Sequence, residues 1–258
     1  PMNVDLYLTP IKFTPDDLHG RTVVAIDVLR CSTSICAAFQ AGARGVIPAD
    51  GPGEAVEAWN KLGADAAVLA GERGGIKIDS FQLGNSPTEF DAEAVGGKLV
   101  VMTTTNGTRI YNLANNAGPV ITCALVNISK VAARVAADSN DLVIVCGGRD
   151  GSFSIEDTIC GGMLIDLLET AHQKKLCVND AASVARLLFQ NNKNRIRQAV
   201  SEGEHGRYLT SLDCQKDVEI ATSIDSIPVL PILRDGQHIL EDSGAVENRC
   251  DTFAQQDV

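Results

Sequence analysis

Four short stretches of this chain combine carboxylates, guanidinium groups, hydroxyls and glycines in the way that handling a charged oxyanion requires. In the first, Thr103-Thr104-Thr105-Asn106-Gly107-Thr108 follows the apolar run Leu99-Val100-Val101-Met102 and precedes a helical pattern with Ile110 and Leu113 on one side. A strand that feeds a helix through such a loop aims amide N–H groups and hydroxyls at one point before a positive helix end, which is how a chain holds an anion. Arg109 stands beside it. The plainer alternative, a threonine that only caps the helix, needs one of these hydroxyls and not four.

The other three stretches are Asp27-Val28-Leu29-Arg30-Cys31-Ser32-Thr33, Gly71-Glu72-Arg73-Gly74, and Cys146-Gly147-Gly148-Arg149-Asp150-Gly151, the last running on to Glu156-Asp157. Each closes an apolar run, and ligands of open α/β sheets bind beyond the carboxyl ends of strands. Oxygen donors such as Asp27, Glu72, Glu156 and Asp157 suit a hard cation, Mg²⁺ above all. The forks of Arg30, Arg73 and Arg109 suit phosphate or sulfonate oxygens. Together they are the parts of metal-assisted phosphoryl chemistry. Plainer roles compete: Glu156 and Asp157 also read as first-turn acids at a helix start, Glu72 with Arg73 as an ion pair, and His205 as a surface histidine rather than a proton donor.

The elements that must position these groups alternate. Strands are expected at residues 4–8, 22–26, 45–48, 66–70, 99–102, 120–125 and 142–146, with helices at 32–43, 52–62, 87–95, 109–113, 128–137 and 156–170. Residues 10–20 and 74–85 read as loops, the second with room for a short strand. Beyond Lys175, helices are expected at 180–190, 191–197, 202–212 and 217–225, and residues 227–233, with two prolines, as an edge strand. The alternation predicts a layered α/β/α fold with a largely parallel or mixed sheet. One catalytic unit is expected over 1–258; if it divides, it does so into lobes of about 1–125 and 126–240 around a cleft, with 241–258 as a C-terminal tail.

Composition narrows the function classes. A chain with 45% hydrophobic and 21% charged residues can build a buried core, and a net charge of −11 argues against a general nucleic-acid binder. No stretch approaches the length needed to span a membrane and no signal pattern is evident, so a cytoplasmic location is expected. The eight cysteines include no Cys-x-x-Cys pair and read as reduced core thiols. Phosphate-binding P-loop, dinucleotide and nucleophile-elbow motifs are absent. Acidic α/β enzymes of this size are commonly homodimers, although no apolar stripe marks an interface.

The residues Ile26-Asp27-Val28-Leu29-Arg30 with Ser32-Thr33, Gly71-Glu72-Arg73-Gly74, Leu83-Gly84-Asn85-Ser86-Pro87, the loop at 103–108 and Phe153-Ser154-Ile155-Glu156-Asp157 together resemble the 2-phosphosulfolactate phosphatase (ComB) family, in order from about residue 5 to the early 230s. The resemblance implies a Mg²⁺-dependent phosphatase that converts 2-phospho-3-sulfolactate to 3-sulfolactate and phosphate, a step of coenzyme M synthesis in methanogens. On that reading Asp27, Glu72, Glu156 and Asp157 hold Mg²⁺, while Arg30 and Arg73 grip anionic groups of the substrate. Ser32, Thr33, Asn85, Ser86, Thr104, Thr105, Asn106, Gly107, Thr108, Gly147 and Gly148 orient the small phosphate ester. Asp27-Val28-Leu29 lacks the second aspartate of the haloacid dehalogenase signature, which favours attack by water over an aspartyl-phosphate. The competing readings are a non-catalytic binder of an anionic metabolite, disfavoured by so many acids, and a related phosphotransferase.

Overall fold

The computed structural model describes residues 1–10, 15–114 and 118–241, the side chains of Pro15, Arg109 and Ala114 excepted. The first part of the chain forms β1 (Met2–Tyr7), α1 (Pro15–Leu18), β2 (Thr22–Ile26), α2 (Cys31–Gln40), β3 (Gly45–Pro48), α3 (Pro52–Leu62), β4 (Ala67–Arg73) and β5 (Ile76–Lys77). A 3₁₀ turn (Pro87–Glu89), α4 (Ala92–Val95), β6 (Leu99–Thr103), α5 (Gly107–Ala114), β7 (Val120–Cys123), a second 3₁₀ turn (Leu125–Asn127), α6 (Ile128–Ala137), β8 (Leu142–Cys146) and α7 (Ile155–Thr170) follow. The last third adds β9 (Leu176–Val178), α8 (Asp180–Asn192), α9 (Ile196–Glu202), α10 (Glu204–Ser211), α11 (Gln215–Ala221), β10 (Pro231–Arg234) and β11 (Gln237–Leu240).

All described strands join in the order β5-β4-β6-β3-β11-β10-β7-β2-β8-β1-β9, the mixed sheet of a layered α/β fold. β2, β6 and β8 are buried along their whole length because helices cover both faces. The two-residue period of a strand sorts their side chains. Val24, Ile26, Leu142 and Ile144 pack with α6, α7 and α8, while Val23, Ala25, Val143 and Val145 pack with α2 and with Tyr111 of α5. Helix α7 is buried without a break from Glu156 to Ile165, as a helix held between a sheet and another helix must be. A Cβ on its Gly162 would overlap the carbonyl oxygen of Ala185 in α8. Gly162→Ala is therefore expected to cost about 1–3 kcal/mol, read as a lower urea midpoint at an unchanged m value.

The prolines of residues 227–233 mislead about the edge. Pro231 opens β10, where a strand tolerates a missing N–H, and β10 lies inside the sheet between β7 and β11. The Asp235-Gly236 turn, with φ of 49° and 79°, supplies the two positive-φ residues of a type I′ hairpin. Other departures are local. Residues 15–18 form α1 within a segment expected as a loop, β7 stops at Cys123, and α11 is displaced to Gln215–Ala221. Of the cysteines, Cys31, Cys36, Cys123, Cys146 and Cys160 are buried thiols and Cys177 is exposed. Cys250 and the expected tail beyond Glu241 lie outside the described residues.

The hairpin is antiparallel to both its neighbours, so β4, β6 and β3 run opposite, by pairing, to β7, β2, β8, β1 and β9. Sheet twist of about 20–25° per strand, summed over the five steps from β6 to β2, reaches about 100–125°. That swings the carboxyl rim of one block round towards the other.

His238 of β11 anchors this junction, fully buried, with Nδ1 3.2 Å from the carbonyl oxygen of Val46 and its ring edge-on to Tyr111. Because that oxygen can only accept, the neutral ring carries its proton on Nδ1. Burial pulls the pKa from 6.5 down to about 4. Between those values the unfolded chain binds a proton that the folded chain refuses, so stability falls as the solution is acidified through this window. The gap corresponds to roughly 3 kcal/mol. Urea midpoints across this range should decline less steeply in His238→Phe than in the wild type.

Candidate active site

Asp27 follows β2 directly and is held by the first turn of α2. Its N–H donates to Ser32 Oγ (3.0 Å), and its Oδ1 accepts the Cys31 N–H (3.1 Å). Ser32 is further placed by the Tyr111 hydroxyl at 3.2 Å, and Thr33 Oγ1 donates to the Val28 carbonyl oxygen (2.7 Å). Both hydroxyls are wholly buried and serve the β2–α2 loop, not the cavity.

Glu72 and Arg73, which lie past the strand expected at 66–70, are the last residues of β4 and pair with β5; the turn lies at Gly74-Gly75, both with positive φ. Glu72 Oε1 accepts the Thr105 N–H (2.7 Å), and Oε2 accepts the Gly75 N–H (2.6 Å) and the Thr105 hydroxyl (3.1 Å). It clasps the hairpin to the threonine loop. The guanidinium of Arg73 donates to the Glu72 carbonyl oxygen and to Thr103 Oγ1, away from the cavity.

In that loop Thr104 Oγ1 accepts the Thr108 N–H (3.1 Å) at the start of α5, and Thr108 Oγ1 donates back to the Thr104 carbonyl oxygen (3.2 Å). Only glycine fits at 107, where a Cβ would overlap that of Cys31 and stand 2.5 Å from Asp27 Oδ2. Beyond β8, Gly147 passes against Asp27 and Gly148 takes φ of 62°. Asp157 ties the two loops, accepting from Val28 N–H through Oδ1 (2.7 Å) and from Gly148 N–H through Oδ2 (3.0 Å). Its neighbour Glu156 sits 3.2 Å from His205 Nδ1 through Oε1, and its buried Oε2 has no partner.

These loops enclose a cavity of about 180 Å³ lined by Asp27, Arg30, Glu72, Asn85, residues 104–107 and, from α10, His205 and Tyr208. Arg30 reaches its wall already engaged, donating to Asp217 Oδ2 (2.7 Å) and to the Gly75 carbonyl oxygen (2.8 Å). Ser86 does not line the cavity; its hydroxyl donates to the other oxygen of Asp217 (2.6 Å). Asn85 does, with a buried Oδ1 that has no partner. The side chain of Arg109 lies outside what is described.

Glu72, Glu156 and Asp157 all lie close enough to act on Asp27. Burial, then the charge of Asp157, with smaller pushes from Glu72 and Glu156, raises the Asp27 carboxyl well above its ordinary range against the pull of the Cys31 amide. Burial and Glu156 likewise raise Asp157. Crowded, desolvated carboxylates of this kind are what a bound cation or a shared proton relieves. Among the described residues no three acid, imidazole or thiol groups form a ready-made cation cage. Sequence reasoning missed Arg149 and Asp150, which line the cavity from a stretch it had singled out, and Tyr208 and Asp217, for which no local signal exists.

The structure is thus that of a mixed-sheet α/β protein with a cavity at converging strand ends, buried acids on its floor and amide-rich loops around it, a layout with the chemistry to receive an oxyanion. Over residues 7–236 the chain matches the model of the family described as 2-phosphosulpholactate phosphatase, and it belongs to that family. A protein of Clostridium acetobutylicum named "Probable 2-phosphosulfolactate phosphatase" is 34% identical over 236 residues, covering 92% of this chain and 99% of its own. Proteins of the same name from Caldanaerobacter subterraneus subsp. tengcongensis (34%; 91% and 97% covered) and Symbiobacterium thermophilum (34%; 87% and 96%) are similar to it as well.

Proposed function

We propose that this chain is a Mg²⁺-dependent phosphatase that hydrolyses 2-phospho-3-sulfolactate, or a similar small anionic phosphate ester, to 3-sulfolactate and inorganic phosphate. The observation that carries this reading is the delivery of Asp27, Glu72, the threonine loop and His205 to one small cavity by four separate parts of the fold. The donors fit the ion: all are oxygen, the Asp27 carboxyl is raised by burial and by neighbouring acids, and Glu156, beside His205 of the cavity wall, has a buried Oε2 without a partner. Since Glu72 and Asp157 give both oxygens to neighbouring N–H groups, Asp27 and Glu156 are the residues that would hold Mg²⁺, in keeping with its habit of taking one or two carboxylates and several waters. When bound, the ion supplies charge neutralisation on the phosphoryl oxygens and lowers the pKa of water.

The chain's own groups do the rest. With the Thr105 N–H given to Glu72, the amides of Asn106 and Gly107 at the start of α5 are the ones that would meet the phosphoryl oxygens, which a helix N-terminus favours. His205, which lines the cavity with its Nδ1 3.2 Å from Glu156 Oε1, is the group placed to pass a proton to the leaving oxygen. A helical clasp through Arg30 and Asp217 closes the side towards α11. The discriminating experiment is phosphate release from a panel of phosphomonoesters with and without Mg²⁺. Release only with Mg²⁺ and preferentially from acidic esters supports the reading; binding without release points to an anion-binding protein.

A further inference from the structure

We infer that Arg149 forms a subsite for a second acidic group, carboxylate or sulfonate, on the carbon skeleton of the ester, and so selects acidic phosphate esters over neutral ones. This rests on the proposed phosphatase reading and adds the residue that sets its selectivity. Among the described arginines at this end of the sheet, Arg30 is committed to a buried aspartate and a carbonyl oxygen, and Arg73 to a carbonyl oxygen and a threonine. Arg149 differs. Its ion-pair partners, Asp150 at 3.6 Å and Glu204 at 3.4 Å, are 72% and 84% exposed, so they hold it weakly and water can replace them.

The support beneath Arg149 is rigid. Its N–H donates to the Ser152 carbonyl oxygen and its own carbonyl oxygen accepts the Ser152 N–H, both at 2.8 Å, across a turn in which Asp150 and Gly151 have positive φ. Its guanidinium carbon lies 4.5 Å from the centre of the Tyr208 ring, and the Tyr208 hydroxyl is pinned to the Gly74 carbonyl oxygen at 2.7 Å. The plane of the fork is thus set before any ligand arrives, which lowers the entropic cost of binding. Depth separates this subsite from the floor: the Arg149 side chain keeps 20% of its surface exposed, whereas Asp27 keeps 4% and Glu72 6%. With the phosphoryl group among the buried acids and amides, the tail of a short ester points to the mouth, where Arg149 waits.

The test compares phosphoglycolate with ethyl phosphate, a similar skeleton without the acid, in wild type, Arg149→Gln and Arg149→Lys, alongside calorimetric titration of sulfoacetate, which carries no phosphate. In Arg149→Gln the ratio of kcat/KM for phosphoglycolate to that for ethyl phosphate should fall roughly tenfold to a hundredfold, mostly through KM, the range of a charge-assisted fork. Sulfoacetate affinity should fall by a similar factor, and Arg149→Lys, which keeps the charge and loses the fork, should lie between. An unchanged ratio, an equal loss on both esters, or unaltered sulfoacetate binding overturns the inference. Should the wild type release phosphate from neither ester nor from 2-phospho-3-sulfolactate, the phosphatase reading fails; in that case, or if only 2-phospho-3-sulfolactate is turned over, the sulfoacetate titration decides the role of Arg149.

Discussion

Asp27→Asn is expected to lower Mg²⁺-dependent phosphate release by roughly 10²–10⁴-fold or more while leaving the fold as stable as the wild type or more so. The two halves of this expectation have one cause. Asp27 is 4% exposed, and its carboxyl is raised above the ordinary range by burial and by the neighbouring acids. A group whose folded pKa is raised costs stability once the pH exceeds its unfolded value, because the folded state must then hold a charge it disfavours. Asparagine keeps an oxygen for the Cys31 N–H and carries no charge. In EDTA, the melting temperature of Asp27→Asn should therefore match or exceed that of wild type near neutral pH, the difference shrinking as the pH falls towards 4. Added Mg²⁺ should raise the wild-type melting temperature and leave the variant where it was. A variant that melts far below wild type without metal would mean that Asp27 is a structural acid.

Asp217→Ala should have the largest effect on stability. It removes the partner of Arg30 from an ion pair whose side chains are 4% and 3% exposed, and takes the acceptor from Ser86 as well. A buried guanidinium left unpaired costs about 3–5 kcal/mol; the exposed pair of Arg197 and Glu219, with side chains 62% and 51% exposed, should be worth under about 1 kcal/mol if broken. For a chain of this size the loss corresponds to a melting temperature lower by about 6–20 °C. The double variant Arg30→Met/Asp217→Leu should recover most of it, since apolar replacement of a buried pair is often neutral. Equal melting temperatures for Asp217→Ala and wild type would show that the pair contributes nothing, and failure of the double variant to recover would place the cost in packing of α11.

How much of this was legible in the sequence depends on whether the signal was local. β2, β3, β8, α3 and α6 begin and end where the residues say, because an unbroken apolar run stopped by Asp27 or Gly147, or a helix opened by Pro52, needs no distant partner to be recognised. The floor of the site was legible for the same reason: Asp27 and the threonine loop terminate such runs. β4 was read too short because its last residues, Glu72 and Arg73, are polar and become a strand only by pairing with the two-residue β5. β11 carries no apolar run, and its place follows from the Asp235-Gly236 turn and from neighbours far away in sequence. Roles assigned by residue type were the least secure. Arg30 lies 187 positions from Asp217 and Glu72 is 33 from Thr105, so nothing nearby told that the first is engaged by an acid and the second by amides. Arg149 stood in plain view, but its standing over Tyr208 depends on α10 folding back onto the β8–α7 loop.

The central claim is that the acids beyond β2 and at the start of α7 serve a divalent ion acting on a phosphate ester. Its most direct test is the rate of inorganic phosphate release from 2-phospho-3-sulfolactate by the purified chain, first in EDTA and then with Mg²⁺ restored. Release that stops in EDTA and returns with Mg²⁺ is the predicted result; release indifferent to EDTA, or none under either condition, contradicts it.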